Sequence, residues 1–331
     1  MIPSHIALLC GGGDTEHEVS LRSADFIEDL LTRFDDLALR RFELDADGIY
    51  HDRDGKRYRL TAERSLQSMD DSADVWPLDA VIPCIHGFPG ETGDLQASFD
   101  LIGLPYLGCG SEASKLCINK ISSKLWFSAL GIPNTPYCFV TDLADTTRAH
   151  AMLAQHGNLF VKAASQGSSV GCYQVATPEA LDQALKDALA FGPYVLVEQT
   201  LVARELELAA YEIDGELVIT APGEILTPDD AFYSYEEKYD SSSHTETAVK
   251  AGDLSDEQIA QMQDYARRAF TGLNLRHLSR IDFFLTRDGE IYLNEINTFP
   301  GMTPISMFPK MQAAHGHDNA AFFYRTVKSL L

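Results

Sequence analysis

The sequence predicts an α/β protein, with a parallel α/β block at its N-terminus and mixed α+β domains behind it. Three observations carry that expectation. Apolar strand-like runs alternate with amphipathic helical runs to about residue 108, the pattern of a parallel sheet with crossover helices. Further on, apolar runs flank Asp214-Gly215 and Asp288-Gly289, dipeptides that favour tight hairpin turns. The chain has 331 residues, enough for two or three domains with ample surface to bury.

Taken in order, residues 5–10 read as a buried strand, 11–20 as a loop and 21–33 as an amphipathic helix. A second buried strand follows at 80–85, and a helix begins at 93–101. Ligands of such sheets gather at the strands' C-terminal ends. Those ends carry Gly11-Gly12-Gly13-Asp14-Thr15-Glu16-His17-Glu18 and His86-Gly87-Phe88-Pro89-Gly90-Glu91. The dinucleotide pattern GxGxxG fails, because Glu16 stands where the last glycine belongs. A carboxylate just past a buried strand suits an amine instead.

Residues 111–130 read as helix, 137–141 as strand, 143–155 as helix and 159–163 as strand. The loop Gln166-Gly167-Ser168-Ser169-Val170-Gly171 leads into a strand at 172–176. This strand–loop–strand unit, with Lys162 at its start, can close over phosphates with backbone N–H groups and two hydroxyls; a flexible hairpin tip is the plainer reading. A helix at 178–191, a strand at 194–201 and a hairpin spanning 205–221 come next. The polar stretch 227–252 contains Lys238 and three tyrosines, and reads as a lid over a negative ligand or as a solvated linker. A helix at 256–273 precedes the last hairpin.

That hairpin, RIDFFLTRDGEIYLNEIN from Arg280, is the chemically richest stretch. A two-residue turn at Asp288-Gly289 places Asp282 opposite Glu295 and Arg280 opposite Asn297, all on one face. Facing carboxylates repel unless something positive lies between them. Two carboxylates and an amide oxygen form a hard donor set suited to Mg²⁺. The alternative is a solvated face whose carboxylates pair with lysines.

Composition excludes some classes. The net charge is −23, against the basic surfaces that nucleic acid or an anionic membrane requires. Any phosphate site must then rest on a few local cations and backbone N–H groups. The six cysteines are scattered without a CxxC pair, as buried thiols in a reducing cytosol would be. The N-terminus shows no signal-peptide pattern, and there is no 18-residue apolar run to span a membrane.

Together and in this order, GGGDTEHEVSL, HGFPGETGDLQ, NKISSKLW, FVKAASQGSSVG, YSYEEKY and RIDFF…YLNEINTFPGMTP resemble the ATP-grasp superfamily, and within it the D-alanine–D-alanine ligase family. The resemblance covers essentially the whole chain. It implies three domains, drawn at 1–108, 109–197 and 198–331 with the lid at 227–252, and ATP gripped between the second and third. It implies that Lys120 and Lys162 contact the ATP phosphates, with Ser168 and Ser169 closing over them and Lys238 reaching the γ-phosphate. The strand end Glu198, Gln199, Leu201 would hold adenine, and Glu205 the ribose. Asp282, Glu295 and Asn297 would bind two Mg²⁺ (or Mn²⁺) ions. Glu16 would anchor the first D-alanine's ammonium, forming a trio with Ser168 and Tyr239. Arg280 and the Gly301 N–H would stabilise the oxyanions of a D-alanyl phosphate route, and Ser306 with the Met307 N–H would hold the second D-alanine's carboxylate.

The implied function is cytoplasmic synthesis of D-alanyl-D-alanine for peptidoglycan by a homodimer. Tyr239 favours the dipeptide over a D-lactate product. Two departures from the family pattern stand out: Glu91-Thr92-Gly93 where many members have an acidic residue and then Gly after the glutamate, and Gln199 where many have lysine. A ligase with another acceptor and a non-catalytic ATP-binding regulator are the rivals, and a nicotinamide oxidoreductase fails on its glycine pattern.

Overall fold

The computed structural model describes residues 2–12, 16–226 and 246–331. Three sheets follow one another along the chain. The first has seven strands, with β1 (Ser4–Gly11) flanked in parallel by β2 (Leu37–Leu44) and β7 (Ala80–Pro83). Its other side continues from β2 as an antiparallel meander, β3 (Tyr50–His51) to β6 (Val75–Pro77). The parallel block expected from the sequence is thus only one end of a mixed sheet. The meander's turns are local: Asp45 Oδ1 accepts from the Asp47 and Ile49 N–H groups, and Asp52 Oδ1 from those of Asp54 and Lys56.

Helix α1 (His17–Leu31) covers this sheet with Ala24, Ile27 and Leu31, and it starts earlier than expected. The reason is Ser20, placed by the sequence reading in a loop. Its buried hydroxyl accepts from Gly11 N–H at 2.8 Å and donates to Cys84 O at 2.5 Å, tying the first helical turn to two strand ends. Helix α2 (Asp94–Ile102) follows β7.

The second sheet is antiparallel, in the order β10-β9-β11-β8: β8 (Tyr137–Val140), β9 (Leu159–Ala163), β10 (Cys172–Val175) and β11 (Val195–Gln199). Its core gathers Val161, Val195 and Val197 with Leu153 of helix α5 (Thr147–His156) and Leu181 and Leu185 of helix α6 (Pro178–Leu189). The third sheet is built on β12 (Ala203–Ile213), paired with β13 (Glu216–Ile219), β14 (Gly223–Leu226) and β16 (Leu278–Thr286). Strand β17 (Ile291–Asn297) pairs with β16, and β15 (Glu246–Ala248) with β14.

The single helix expected over 111–130 is two, α3 (Ser111–Ile118) and α4 (Lys120–Ala129). Asn119 is extended, and its side chain accepts from the Ile121 and Ser122 N–H groups, so it ends one helix and caps the next. These helices pack on the third sheet through Ala113, Cys117 and Phe127, together with helix α7 (Asp256–Gly272). The last helices are α8 (Met307–Ala314) and α9 (Asn319–Leu330). Phe322, Phe323 and Val327 of α9 join the core beneath α1, so the chain's end closes on its beginning. Five cysteines are buried thiols and Cys172 is half-buried. No helix among the described residues is long and apolar enough to cross a membrane.

Candidate active site

The three sheets meet at a cleft of about 580 Å³, walled by the end of the first sheet, the loop after β9 and the hairpin β16–β17. The hairpin brings Asp282 opposite Glu295 and Arg280 opposite Asn297, the pairs expected from the sequence. The route differs. The turn is not two residues long: Thr286 pairs with Glu290 around Arg287-Asp288-Gly289, with Gly289 at φ 85°. That loop alone would leave the strands one residue out of the expected register, and Phe283 does face Leu293. A bulge at Asn294 adds one residue to β17 and restores the register at Asp282. Without it Glu295 would point to the other face of the sheet.

Arg280 grips Asp282 with both arms, Nε to Oδ1 at 2.8 Å and Nη2 to Oδ2 at 2.7 Å. It also lies 3.2 Å from Glu207, one strand over on β12. Burial opposes its charge, but the carboxylates of Asp282 and Glu207 outweigh burial and hold the guanidinium firmly protonated. Asn297 Nδ2 donates to Asp282 Oδ2 at 2.9 Å. Lys120 sits at the start of α4, where the Asn119 break aims it at the cleft. Its ammonium donates to Gln166 O at 2.8 Å and lies 3.7 Å from Glu295.

Glu207 was missed from sequence, although it alternates with Glu205 across Leu206 and so shares its face. Both line the cleft. Among the described residues no three His, Cys, Asp or Glu side chains converge as a metal cage. The candidate metal set is therefore two carboxylates and an amide on one hairpin face. It suits a hard cation that keeps other positions for water and phosphate oxygens. Arg280 occupies both oxygens of Asp282, so a cation there requires the arginine to let go of at least one.

Across the cleft, the loop after β9 is docked on the first sheet. Ser168 Oγ donates to Glu16 Oε1 at 2.5 Å. Gly167 permits the approach, since a Cβ there would stand 2.9 Å from Glu16 Oε2. Ser168 and Ser169 hold left-handed backbone, φ 49° and 64°, and both line the cleft. Glu16 is 9% exposed. Beside it, burial and the Glu16 carboxylate push Glu91 up to about 8, while the Gly87 N–H, 3.0 Å away, favours its charged form. Burial and the neighbouring carboxylate thus favour the protonated form of Glu91.

His86 is buried and kept neutral by that burial. Its Nδ1 meets Phe299 O at 3.1 Å and its Nε2 meets Ser23 Oγ at 3.0 Å. Ser23 Oγ in turn accepts from the Met302 N–H at 3.1 Å. One proton arrangement satisfies the chain, with Nδ1–H on Phe299 and the Ser23 hydroxyl on Nε2. The loop that carries Gly301 is held by α1 and the end of β7. Next to Gly301, Ser306 caps α8 but spends its hydroxyl on Thr303, accepting from the Thr303 N–H at 3.1 Å and meeting Thr303 Oγ1 at 2.8 Å.

The strand end Glu198–Leu201 lies away from the cleft lining. Glu198 is buried between Lys124 and Lys162, 2.5 and 2.7 Å from their ammonium groups. Burial alone would raise its pKa; the two lysines overcome this and hold it at about 2. The Gln199 N–H donates to Pro136 O at 3.0 Å. Lys162 faces the cleft, and Lys124 was read from sequence only as part of a helix. Lys238 and Tyr239 lie outside the described residues. In total the structure brings Glu16, Lys120, Lys162, Ser168, Ser169, Glu205, Arg280, Asp282, Glu295, Asn297, Gly301 and Ser306 to one cleft.

Residues 5–109 match the family model described as D-ala D-ala ligase N-terminus, and residues 126–328 that of the D-ala D-ala ligase C-terminus. The D-alanine–D-alanine ligase of Shewanella sediminis is 54% identical over 333 residues, covering 100% of both chains. Among solved structures, a D-alanyl-alanine synthetase A from Vibrio cholerae superposes with a TM-score of 0.94 at 49% identity, covering 100% of this chain and 99% of its own. A D-Ala:D-Ser ligase from Enterococcus faecalis superposes with a TM-score of 0.88 at 26% identity, covering 99% of this chain and 100% of its own.

Proposed function

From the chain's membership of the D-alanine–D-alanine ligase family, which makes it an ATP-dependent ligase joining two D-alanines for peptidoglycan synthesis, we propose how its own residues divide the work. The observation that carries the reading is one cleft holding Arg280, Asp282, Glu295 and Asn297 on its floor, with Glu16 on one wall and Lys120 and Lys162 on another.

A carboxylate is a poor acyl donor, because oxide is a poor leaving group. Moving the γ-phosphoryl group of ATP onto the first D-alanine carboxylate gives a D-alanyl phosphate, whose leaving group is phosphate. That transfer needs positioning and charge neutralisation more than covalent help. Lys120, Lys162 and the loop N–H groups at Ser168 and Ser169 hold the phosphates, joined by Lys238. Glu205 takes the ribose hydroxyls, and the strand end Glu198, Gln199, Leu201 the adenine, through main-chain groups not already spent on Pro136. Asp282, Glu295 and Asn297 suit two Mg²⁺ or Mn²⁺ ions, which when bound supply positive charge at the phosphate oxygens.

Glu16 orients the first D-alanine by its ammonium, with Ser168 and Tyr239 completing the trio. Arg280 turns from Asp282 to the acyl-phosphate oxygen and then, with the Gly301 N–H, to the tetrahedral oxyanion. The second D-alanine binds its carboxylate at Ser306 and the Met307 N–H, at the start of α8. Its amine attacks once it has lost a proton, and phosphate leaves. The stretch 227–252 acts as the lid that keeps water from the acyl phosphate. We place the enzyme in the cytoplasm as a homodimer through the N-terminal domain, where Leu101 is 87% exposed on α2. Light scattering reads that state directly.

The deciding experiment measures phosphate release from Mg·ATP with D-alanine, with L-alanine, and with D-alanine plus D-lactate, reading product mass alongside. Release with D-alanine alone, yielding the dipeptide, is expected. A D-lactate product would move the acceptor assignment off Tyr239 and Ser306. Nucleotide binding without release would favour a regulator.

A further inference from the structure

Glu198 sits between two lysines from different elements, and only one of them reaches the cleft. Lys162 on β9 lines it, with a side chain 14% exposed. Lys124 on α4 is 2% exposed and is held behind the sheet. Its ammonium lies 2.5 Å from Glu198 Oε1, donates to Thr135 O at 3.3 Å and stands 5.3 Å from the centroid of the Tyr137 ring. The other carboxylate oxygen, Oε2, faces Lys162 at 2.7 Å.

The charge count gives this arrangement its meaning. A Lys162–Glu198 pair alone is neutral, and a buried carboxylate 2.7 Å away would cancel most of what that lysine could offer a phosphate. With Lys124 behind it, the cluster carries one net positive charge. The uncommitted share lies on the member facing the cleft. We infer that Lys124 is a positioning residue for nucleotide binding: it occupies one oxygen of Glu198 so that Lys162 stays fixed in place yet keeps its charge for the phosphates.

Burial opposes the charge of both lysines; Glu198 outweighs it at Lys162 and not at Lys124. Lysine hidden this deeply is costly unless paired, and the apolar interior around α4 offers no solvation in return. A purely structural role would be met as well by an apolar side chain at 124 facing a neutral residue at 198. The inference predicts that such a swap keeps nucleotide affinity while the half-swap loses it.

The inference rests on the reading of Lys162 as a phosphate ligand. It is tested by titrating Mg²⁺ with a non-hydrolysable ATP analogue (an imido bridge between the β- and γ-phosphates) into the full chain, Lys124→Met, and Lys124→Met with Glu198→Gln. Melting curves run alongside. Lys124→Met should weaken binding about tenfold and raise KM for ATP, leaving KM for D-alanine and kcat near parent values. The double variant should return to within roughly threefold of the parent, because its net charge is restored and Glu198 offers the adenine only main-chain groups, which glutamine keeps. Should Lys124→Met melt out, Lys124→Gln, which keeps a hydrogen-bond donor without the charge, takes its place. Parent-like binding by the single variant, or a double variant no better than the single, overturns the inference. If the parent itself binds no nucleotide, the reading of the cleft fails first and takes the inference with it.

Discussion

Glu91 lines the cleft and Glu198 is buried behind it, and the two glutamates end at opposite extremes. Burial pushes both carboxyls up. At Glu91 the nearest strong charge is another carboxylate, Glu16, and the group rises to about 8. At Glu198 two ammonium groups reverse the effect of burial and hold it at about 2. Burial therefore sets what is at stake, and the neighbouring charge decides the outcome. At Asp282 the partner is Arg280, a counter-charge that the proposed chemistry borrows.

Removing the carboxylate with the most support should do the most damage. Glu198→Ala strands two lysines, one fully buried, and should cost ~3–5 kcal/mol in urea unfolding at pH 7. A loss under ~1 kcal/mol would mean that the triad is not a tight one. Arg280→Ala takes away the borrowed counter-charge and should lower turnover ~10²-fold or more, as loss of an oxyanion donor does. Near-normal phosphate release would remove Arg280 from the mechanism.

Glu91→Gln tests the other extreme through pH. The parent's folded-state value, about 8, lies above its ordinary 4.5. Its contribution to stability is then full below pH 4.5 and is lost as pH rises through 8. Glutamine removes that dependence, so the variant should gain up to ~3 kcal/mol on the parent by pH 8, relative to pH 5. Parallel stability curves would show that Glu91 is ionised after all. Glu198 runs the other way: its contribution is present above pH 4.5 and fades as pH falls toward 2.

Ser168→Ala removes the hydroxyl that donates to Glu16. KM for the first D-alanine should rise roughly 3- to 10-fold with kcat less affected. Asn119→Ala, which deletes the cap that separates α3 from α4, should cost about 1 kcal/mol and is the smallest effect expected.

The sequence by itself determined which elements exist where local pattern is strong: β1, the hairpins about Asp214-Gly215 and at 278–297, and the Gly/Ser loop. It also supplied most of the cleft's charged groups, because the motifs carry Glu16, Glu91, Lys120, Lys162, Arg280, Asp282 and Glu295, while Arg22, Glu205, Glu207 and Lys310 lie outside them. Its misreadings were of local detail, one set by a distant partner and the others by single side chains and turns. The start of α1 depends on Ser20 reaching Cys84, and the break at Asn119 on a side chain turning back to cap its own helix. Asp282 and Glu295 were expected to face each other because of a two-residue turn. They do so because a longer turn and a bulge at Asn294 offset one another.

Only the tertiary structure decided what each ionisable group is. Periodicity can place Glu91, Glu198 and Asp282 on strand ends and faces, since a strand's alternation is local. The charged partners that surround them come from more than 70 positions away: Glu16 beside Glu91, Lys124 behind Glu198, Glu207 across from Arg280. Electrostatic energy depends on distance and on the solvent excluded between charges, and neither is written in sequence separation.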